Sequence, residues 1–243
     1  MNYEEPYRVP VYLGNQKGQI SLASAVDIAL MGSEHQLDQL DAGIAALAKH
    51  GAGWVITQYE MTINRMPKAE EQLTLGTAAT TYNKLMTYRD YWIKDEAGNE
   101  LMRFTGAWVM MDLTTRKLIP VIADFAARVG APFDTHVKRF PRLAKLSGEV
   151  QAVPYRVRYF DIDENGHVHN TRYLDWMEDS LGADFLNSHE LTGASIKYAR
   201  EVAYGTQPEA QFTVSADGLE TAHQVVTDGV VNAEAQLRWR DRH

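Results

Sequence analysis

Tyr7-Arg8-Val9, near the start of the chain, returns as Tyr155-Arg156-Val157, an offset of 148 residues. Holding that offset pairs Tyr12 with Phe160, Gly18 with Gly166, Ile20 with Val168, Val26 with Leu174 and Asp27 with Asp175. Self-similarity at one fixed spacing marks a repeated architecture, so the chain reads as one unit written twice.

Each opening is followed by a helical pattern: Leu22, Ala25, Val26, Ala29 and Leu30 in the first half, and Tyr173, Trp176, Met177 and Leu181 in the second. Spacings of three and four residues put each set on one helix face. Strand-forming runs come next, over 54–63, 71–82, 85–95 and 100–112, and again over 195–204, 210–216, 221–227 and 231–239. Asp95-Glu96-Ala97-Gly98-Asn99, Asp217-Gly218 and Asp228-Gly229 supply the turns. Each half therefore reads as a strand, a long helix and four strands. An apolar helix and an antiparallel sheet hide their apolar faces together when the sheet wraps the helix. The expected class is α+β, with two tandem hotdog domains over 1–130 and 151–243. Residues 131–150, with Pro132, Pro141, Gly148 and the basic string Lys138, Arg139, Arg142 and Lys145, are the expected linker.

Composition bounds the function. The 243 residues are 45% hydrophobic and 10% aromatic, ample for a packed core. Neither a signal peptide nor a membrane span can be drawn, so a cytoplasmic location is expected. The absence of cysteine removes disulfides, thiolate metal sites and sulfur nucleophiles. A formal charge of −8 argues against general nucleic-acid binding, which needs a clustered basic surface.

The densest reactive cluster is Asp161-Ile162-Asp163-Glu164-Asn165-Gly166-His167-Val168-His169-Asn170, just before the second helix. Under the 148-residue offset Asp163 faces Asn15, Asn165 faces Lys17 and His167 faces Gln19, so the chemistry sits in one copy. A helix N-terminus presents unpaired N–H groups that suit a carbonyl oxygen gaining charge, and Gly166 permits a backbone that turns the neighbouring side chains toward one point. The competing reading is a turn with Asn170 as helix cap. A calcium loop is disfavoured because its twelfth position is Arg172. Glu201, in Lys197-Tyr198-Ala199-Arg200-Glu201-Val202, is a second candidate on an expected strand, with Arg200 or Lys197 as its obvious ion-pair partners. Aligning Pro67 with Pro208 sets Glu60 opposite Glu201, which hints instead at a structural role repeated in both halves.

These residues resemble the acyl-ACP thioesterase family of plants and bacteria, whose second hotdog carries Asp-x-Asn-x-His-Val-Asn-Asn. Here the motif stands as Asp163-Glu164-Asn165-Gly166-His167-Val168-His169-Asn170 with Tyr173 and Trp176 downstream, and Tyr198-Ala199-Arg200-Glu201 matches a Tyr-x-Arg-Glu segment. Trp54-Val55-Ile56-Thr57, the Arg65-x-Pro67 pair, Trp108-Val109-Met110-Met111-Asp112 and Thr115-Arg116-Lys117 resemble the family's substrate-binding half. His169 replaces an asparagine, and Val202 stands where plant members have cysteine.

The resemblance implies hydrolysis of acyl-ACP in fatty acid biosynthesis without a cofactor or metal, with Asp163, Asn165, His167 and Glu201 as the site. It implies an acyl channel in the first half, for which Trp54, Ile56, Trp108, Met110, Ala29 and Leu30 are candidates; core packing is the alternative for each. Acyl carrier protein, the implied partner, is acidic, so docking calls for basic residues: Lys138, Arg139, Arg142 and Lys145, or Arg65, Lys68, Arg116 and Lys117. An acyl-CoA hydrolase, a hotdog dehydratase and a non-catalytic acyl-binding protein are the rival readings. Two fused hotdogs are compatible with a monomer or a homodimer.

Overall fold

The computed structural model describes residues 1–164 and 166–242. In chain order it comprises β1 (Asn2–Arg8), α1 (Leu22–Gln39), α2 (Ile44–Ala48), β2 (Ala52–Ile63), β3 (Gln72–Tyr82), β4 (Met86–Asp95), β5 (Glu100–Asp112), β6 (Leu118–Ile119) and α3 (Ala123–Arg128). The second half contributes β7 (Gln151–Pro154), α4 (Asn170–Asp179), α5 (Gly182–Ser188), β8 (His189–Tyr198), β9 (Glu209–Val214), β10 (Glu220–Thr227) and β11 (Val230–Asp241). No helix among the described residues is long and apolar enough to cross a membrane.

The strands form one antiparallel sheet in the order β1-β3-β4-β5-β2-β8-β11-β10-β9-β7, with β6 hydrogen-bonded to β5. Read from either edge the order is the same, so the halves are joined back to back through β2 and β8. Gln58 pairs with Lys197, Glu60 with Ser195 and Thr62 with Gly193. Alternation along these strands sends Tyr59, Met61, Ala194 and Ile196 into the core. It sends Glu60 outward, where it accepts from Ser195 Oγ and from Arg238 Nη2 at 3.0 Å.

The core lies between this sheet and α1 with α4. The side chain of Ser21 accepts from the Ser24 N–H and so caps α1. The two helices run antiparallel. Ser21 and Leu22 of the first face Asp175 and Glu178 of the second, while Asp27 lies 3.7 Å from Arg172. A second apolar cluster, built on Leu37, Leu47, Met110 and Phe125, fills the outer end of the first half.

Two sequence expectations need correction. The second helix is not long: α4 ends at Asp179, and Gly182, at φ +80°, starts the separate α5. The strand expected over 195–204 begins at His189 and ends at Tyr198. Its ladder stops because the N–H groups of Ala199 and Arg200 both donate to the Asn232 carbonyl, which leaves 199–204 to run as a loop.

Glu178 accepts a 2.8 Å hydrogen bond from the Leu22 N–H. Its carboxyl turns inward onto the start of α1, and that burial pushes its pKa up to about 7. Between the ordinary carboxylate range and pH 7 the folded state thus holds a proton that the unfolded state has lost, so this group's contribution to stability falls as pH rises. Replacement Glu178→Gln retains an acceptor for Leu22. It should raise the melting temperature at pH 8 by ~2–4 °C for each kcal/mol recovered and change it little at pH 4.5. Calorimetry at both pH values checks this, and an equal shift at the two would refute it.

Candidate active site

The loop entering α4 is held by its own backbone. The Asp163 N–H donates to the His167 carbonyl at 2.8 Å, the Gly166 N–H to the Asp163 carbonyl at 3.0 Å, and the His167 N–H to Asp163 Oδ1 at 3.2 Å. Gly166 sits at φ +82°, the left-handed conformation its lack of Cβ allows. Asp161, almost fully buried, anchors the base of the loop. Burial alone would raise its carboxyl, but the Arg158 guanidinium and backbone N–H hold it below the usual carboxylate range. That ion pair takes up the first acid a calcium loop would need. Asn170 is not the cap: it is the first residue of α4, its side chain donates to Tyr59 Oη at 3.1 Å, and its carbonyl accepts from Tyr198 Oη. His169 turns to Thr171 Oγ1 at 2.9 Å and lies 3.8 Å from Asp27.

Glu201 lies three residues past the end of β8. Its loop is pinned where the Val202 N–H donates to Tyr173 Oη, the Val202 carbonyl accepts from Val168, and Asn232 Nδ2 reaches the Glu201 carbonyl. These bonds bring its carboxylate to His167 Nε2 at 3.0 Å. Its other oxygen meets Arg116 Nη2. Neither Arg200 nor Lys197 pairs with Glu201. Arg116 comes from the first half, on the turn between β5 and β6, where Asp112 Oδ1 accepts from Thr114 and Thr115 and Arg116 itself adopts φ +56°. His167 Nδ1 is buried and has no hydrogen-bond partner among the described residues.

The structure thus brings Asp163, His167 and Glu201 to one loop cluster. Asn165 lies outside the described residues. Arg116, expected at a docking surface, instead faces the candidate site; the Thr115-Arg116-Lys117 motif singled it out, but nothing local connects it with a partner 85 residues away.

The equivalence of Glu60 and Glu201 does not hold. The Ile20 N–H donates to the Pro67 carbonyl as Val168 donates to that of Val202, and Gln19 bridges Lys68 as His167 bridges Ala203. Val202 therefore corresponds to Pro67, and Glu201 to Met66. Glu60 corresponds to its own strand partner Ser195.

Of the channel candidates, Trp54 and Trp108 line a cavity of about 50 Å³ with Leu37, Tyr91, Phe125 and Val129. Ile56, Met110 and Ala29 are sealed in the core, and Leu30 packs against it half-buried. Gly106 makes room for this seam, since a Cβ there would lie 2.8 Å from Trp108 Nε1 and 2.9 Å from Tyr59. Among the linker candidates, Lys138 donates to Thr105 Oγ1, while Arg142 and Lys145 lie over the sheet near Glu60 and Glu234. Arg139 is exposed. Arg65 is occupied by Glu71, and Lys68 and Lys117 are exposed.

Removing the Tyr173 hydroxyl strands the Val202 N–H, a loss of about 1–3 kcal/mol for an unpaired buried group. Tyr173→Phe should therefore lower the melting temperature by several degrees. Arg116→Gln, which breaks a partly exposed pair, should cost no more than about 1 kcal/mol. Thermal melts of the two variants check the contrast, and a Tyr173→Phe protein as stable as wild type would contradict the pinning.

Comparison with known proteins places the chain in a family. The acyl-ACP thioesterase N-terminal domain matches residues 1–129 and the C-terminal domain matches 144–241. An oleoyl-acyl carrier protein thioesterase of Coriandrum sativum is 30% identical over 199 residues, covering 76% of this chain and 54% of that protein. The chain spans about half the length of the curated relatives it matches. Among solved structures, a provisionally named oleoyl thioesterase from Lactobacillus plantarum superposes with a TM-score of 0.96 at 34% identity, covering 100% of this chain and 97% of that one. The 12:0-ACP thioesterase of Umbellularia californica shares the fold, with a TM-score of 0.86 at 20% identity and 99% and 98% coverage. The chain belongs to the acyl-ACP thioesterase family.

Proposed function

We propose that the protein hydrolyses acyl thioesters presented on acyl carrier protein, releasing the free fatty acid. The observation that supports this most is the contact of Glu201 with His167 Nε2 at 3.0 Å, beside Arg116, in the half that carries the acid-rich loop. In this reading Glu201 is the base. Its carboxylate touches the imidazole and is about half open to solvent.

Water held by Glu201 and His167 adds to the thioester carbonyl and gives up its proton to the pair. The tetrahedral oxyanion collapses, the carbon–sulfur bond breaks, and the departing thiolate takes the proton back. Arg116 keeps Glu201 aimed at the imidazole. Asn165 keeps the role the family motif implies, orienting the reacting groups.

The acyl tail follows a line of aromatic rings. Tyr173 lies 5.6 Å from Tyr198, Tyr198 lies 6.2 Å from Tyr59, and Tyr59 lies 6.2 Å from Trp108 on the cavity wall. The far end of the tail lies against the cavity that Trp54 and Trp108 line.

Incubation with a mixed pool of acyl-ACP and acyl-CoA thioesters, with identification of the released acids, tests the proposal. Hydrolysis of the ACP thioesters is expected. Glu201→Ala, His167→Ala and Asp163→Ala should each reduce kcat by about a hundredfold or more. Full activity in Glu201→Ala, or a preference for CoA, would end the reading.

A further inference from the structure

Three large aromatic side chains stand out on the surface beside the candidate site. Tyr159, Phe160 and Tyr204 are 73%, 89% and 62% exposed. They touch one another, with Tyr159 5.3 Å from Phe160 and 6.5 Å from Tyr204 between ring centres. A single exposed ring is ordinary; three in contact form an apolar patch of the kind that marks an interaction surface.

We propose that this patch is the docking face for the carrier that delivers the thioester, a partner presenting apolar side chains flanked by carboxylates. The inference rests on the hydrolase reading above. Position is the first argument. Tyr159 and Phe160 directly precede Asp161, and Tyr204 directly follows Ala203, whose backbone bridges His167. The rings therefore flank the loops that carry His167 and Glu201, where a carrier must sit to hand over its tethered acyl group.

Charge is the second argument. Arg156 and Arg200 flank the aromatic segments, are exposed, and form no ion pair among the described residues. On a chain of formal charge −8 they are exposed cations on the segments that carry the rings, with Arg156 also lining the neighbouring cleft, and they favour an acidic partner. The linker cation Lys138, in contrast, is already bonded to Thr105.

Rigidity is the third argument. The Tyr155 N–H donates to the Pro208 carbonyl at 2.8 Å and the Val157 N–H to the Thr206 carbonyl at 3.5 Å, so the segments bearing the rings are tied together. Asp161 fixes the end of the first segment through Arg158. A backbone tied this way loses little freedom on binding, which favours affinity.

The test compares acyl-ACP with the same acyl group on CoA, using wild type, the triple variant Tyr159→Ser/Phe160→Ser/Tyr204→Ser, and Arg156→Glu. For the triple variant we expect KM on acyl-ACP to rise at least about tenfold, as for loss of an interface hot spot. Its kcat, its KM on acyl-CoA and its melting temperature should stay near wild type. Arg156→Glu should raise KM on acyl-ACP and weaken its dependence on salt.

An unchanged KM on acyl-ACP, or an equal loss on both substrates, overturns the docking face. So does a triple variant that merely converts a dimer into a monomer on gel filtration. A wild-type protein that does not hydrolyse acyl-ACP strikes the functional reading, whereas a triple variant that keeps the wild-type preference for acyl-ACP strikes only this surface.

Discussion

The antiparallel pairing of β2 with β8 is the contact on which the rest of the molecule depends. It joins the matching five-strand paths of the two halves into one sheet, with β6 added beside β5, and because Glu60 is both partner and counterpart of Ser195, it sets a pseudo-twofold axis through that pair. Everything placed near the axis is shared between halves. Tyr59 of β2 meets Asn170 at the start of α4 and lies against Tyr198 at the end of β8. Farther out, the turn after β5 carries Arg116 across to Glu201.

Symmetry of the backbone contrasts with asymmetry of the side chains. Both halves route a loop ahead of their first helix and brace it against a second loop through the same backbone bonds, Ile20 to Pro67 and Val168 to Val202. In the second half the loops carry Asp163, His167 and Glu201; in the first they carry Asn15, Gln19 and Met66. The first-half loops border a cleft of about 810 Å³, where Arg242 donates to Gln19 Oε1 at 3.1 Å. Among the described residues, its first-half loops carry no imidazole against an acid; the histidine lining the cleft, His189, comes from β8 and lies 3.7 Å from Asp241. The shape of these loops is repeated, and among the described residues the acid–imidazole contact between a loop and its brace is present in the second half and not in the first.

Much of the architecture was legible because periodicity is a local property. The strands expected over 54–63, 71–82, 85–95 and 100–112 appear within two residues of those limits, since alternation and turn residues such as Gly98 act within a few positions. The end of β8 falls at Tyr198 rather than at 204 because the alternation of 195–204 does not record where its neighbour β11 stops pairing. The second helix is shorter than its apolar face suggests, because that face continues to Leu181 while the helix ends at Asp179 and the backbone turns at Gly182. The Pro67–Pro208 alignment failed for a related reason: prolines mark loops, and loops differ in length between the halves, whereas the bonds that brace them do not.

The sequence by itself determined the repeat, the α+β class, the family, and which loop carries the acids and the imidazole, all of which are written in residue identity and short spacing. Only the tertiary structure decided that Glu201 leaves its strand, that its partners are His167 and Arg116 rather than Lys197 or Arg200, and that Ile56, Met110 and Ala29 are buried while Trp54 and Trp108 line a cavity. Those outcomes depend on which distant segments the sheet brings side by side. A contact across 85 residues leaves no periodic trace in the chain that makes it.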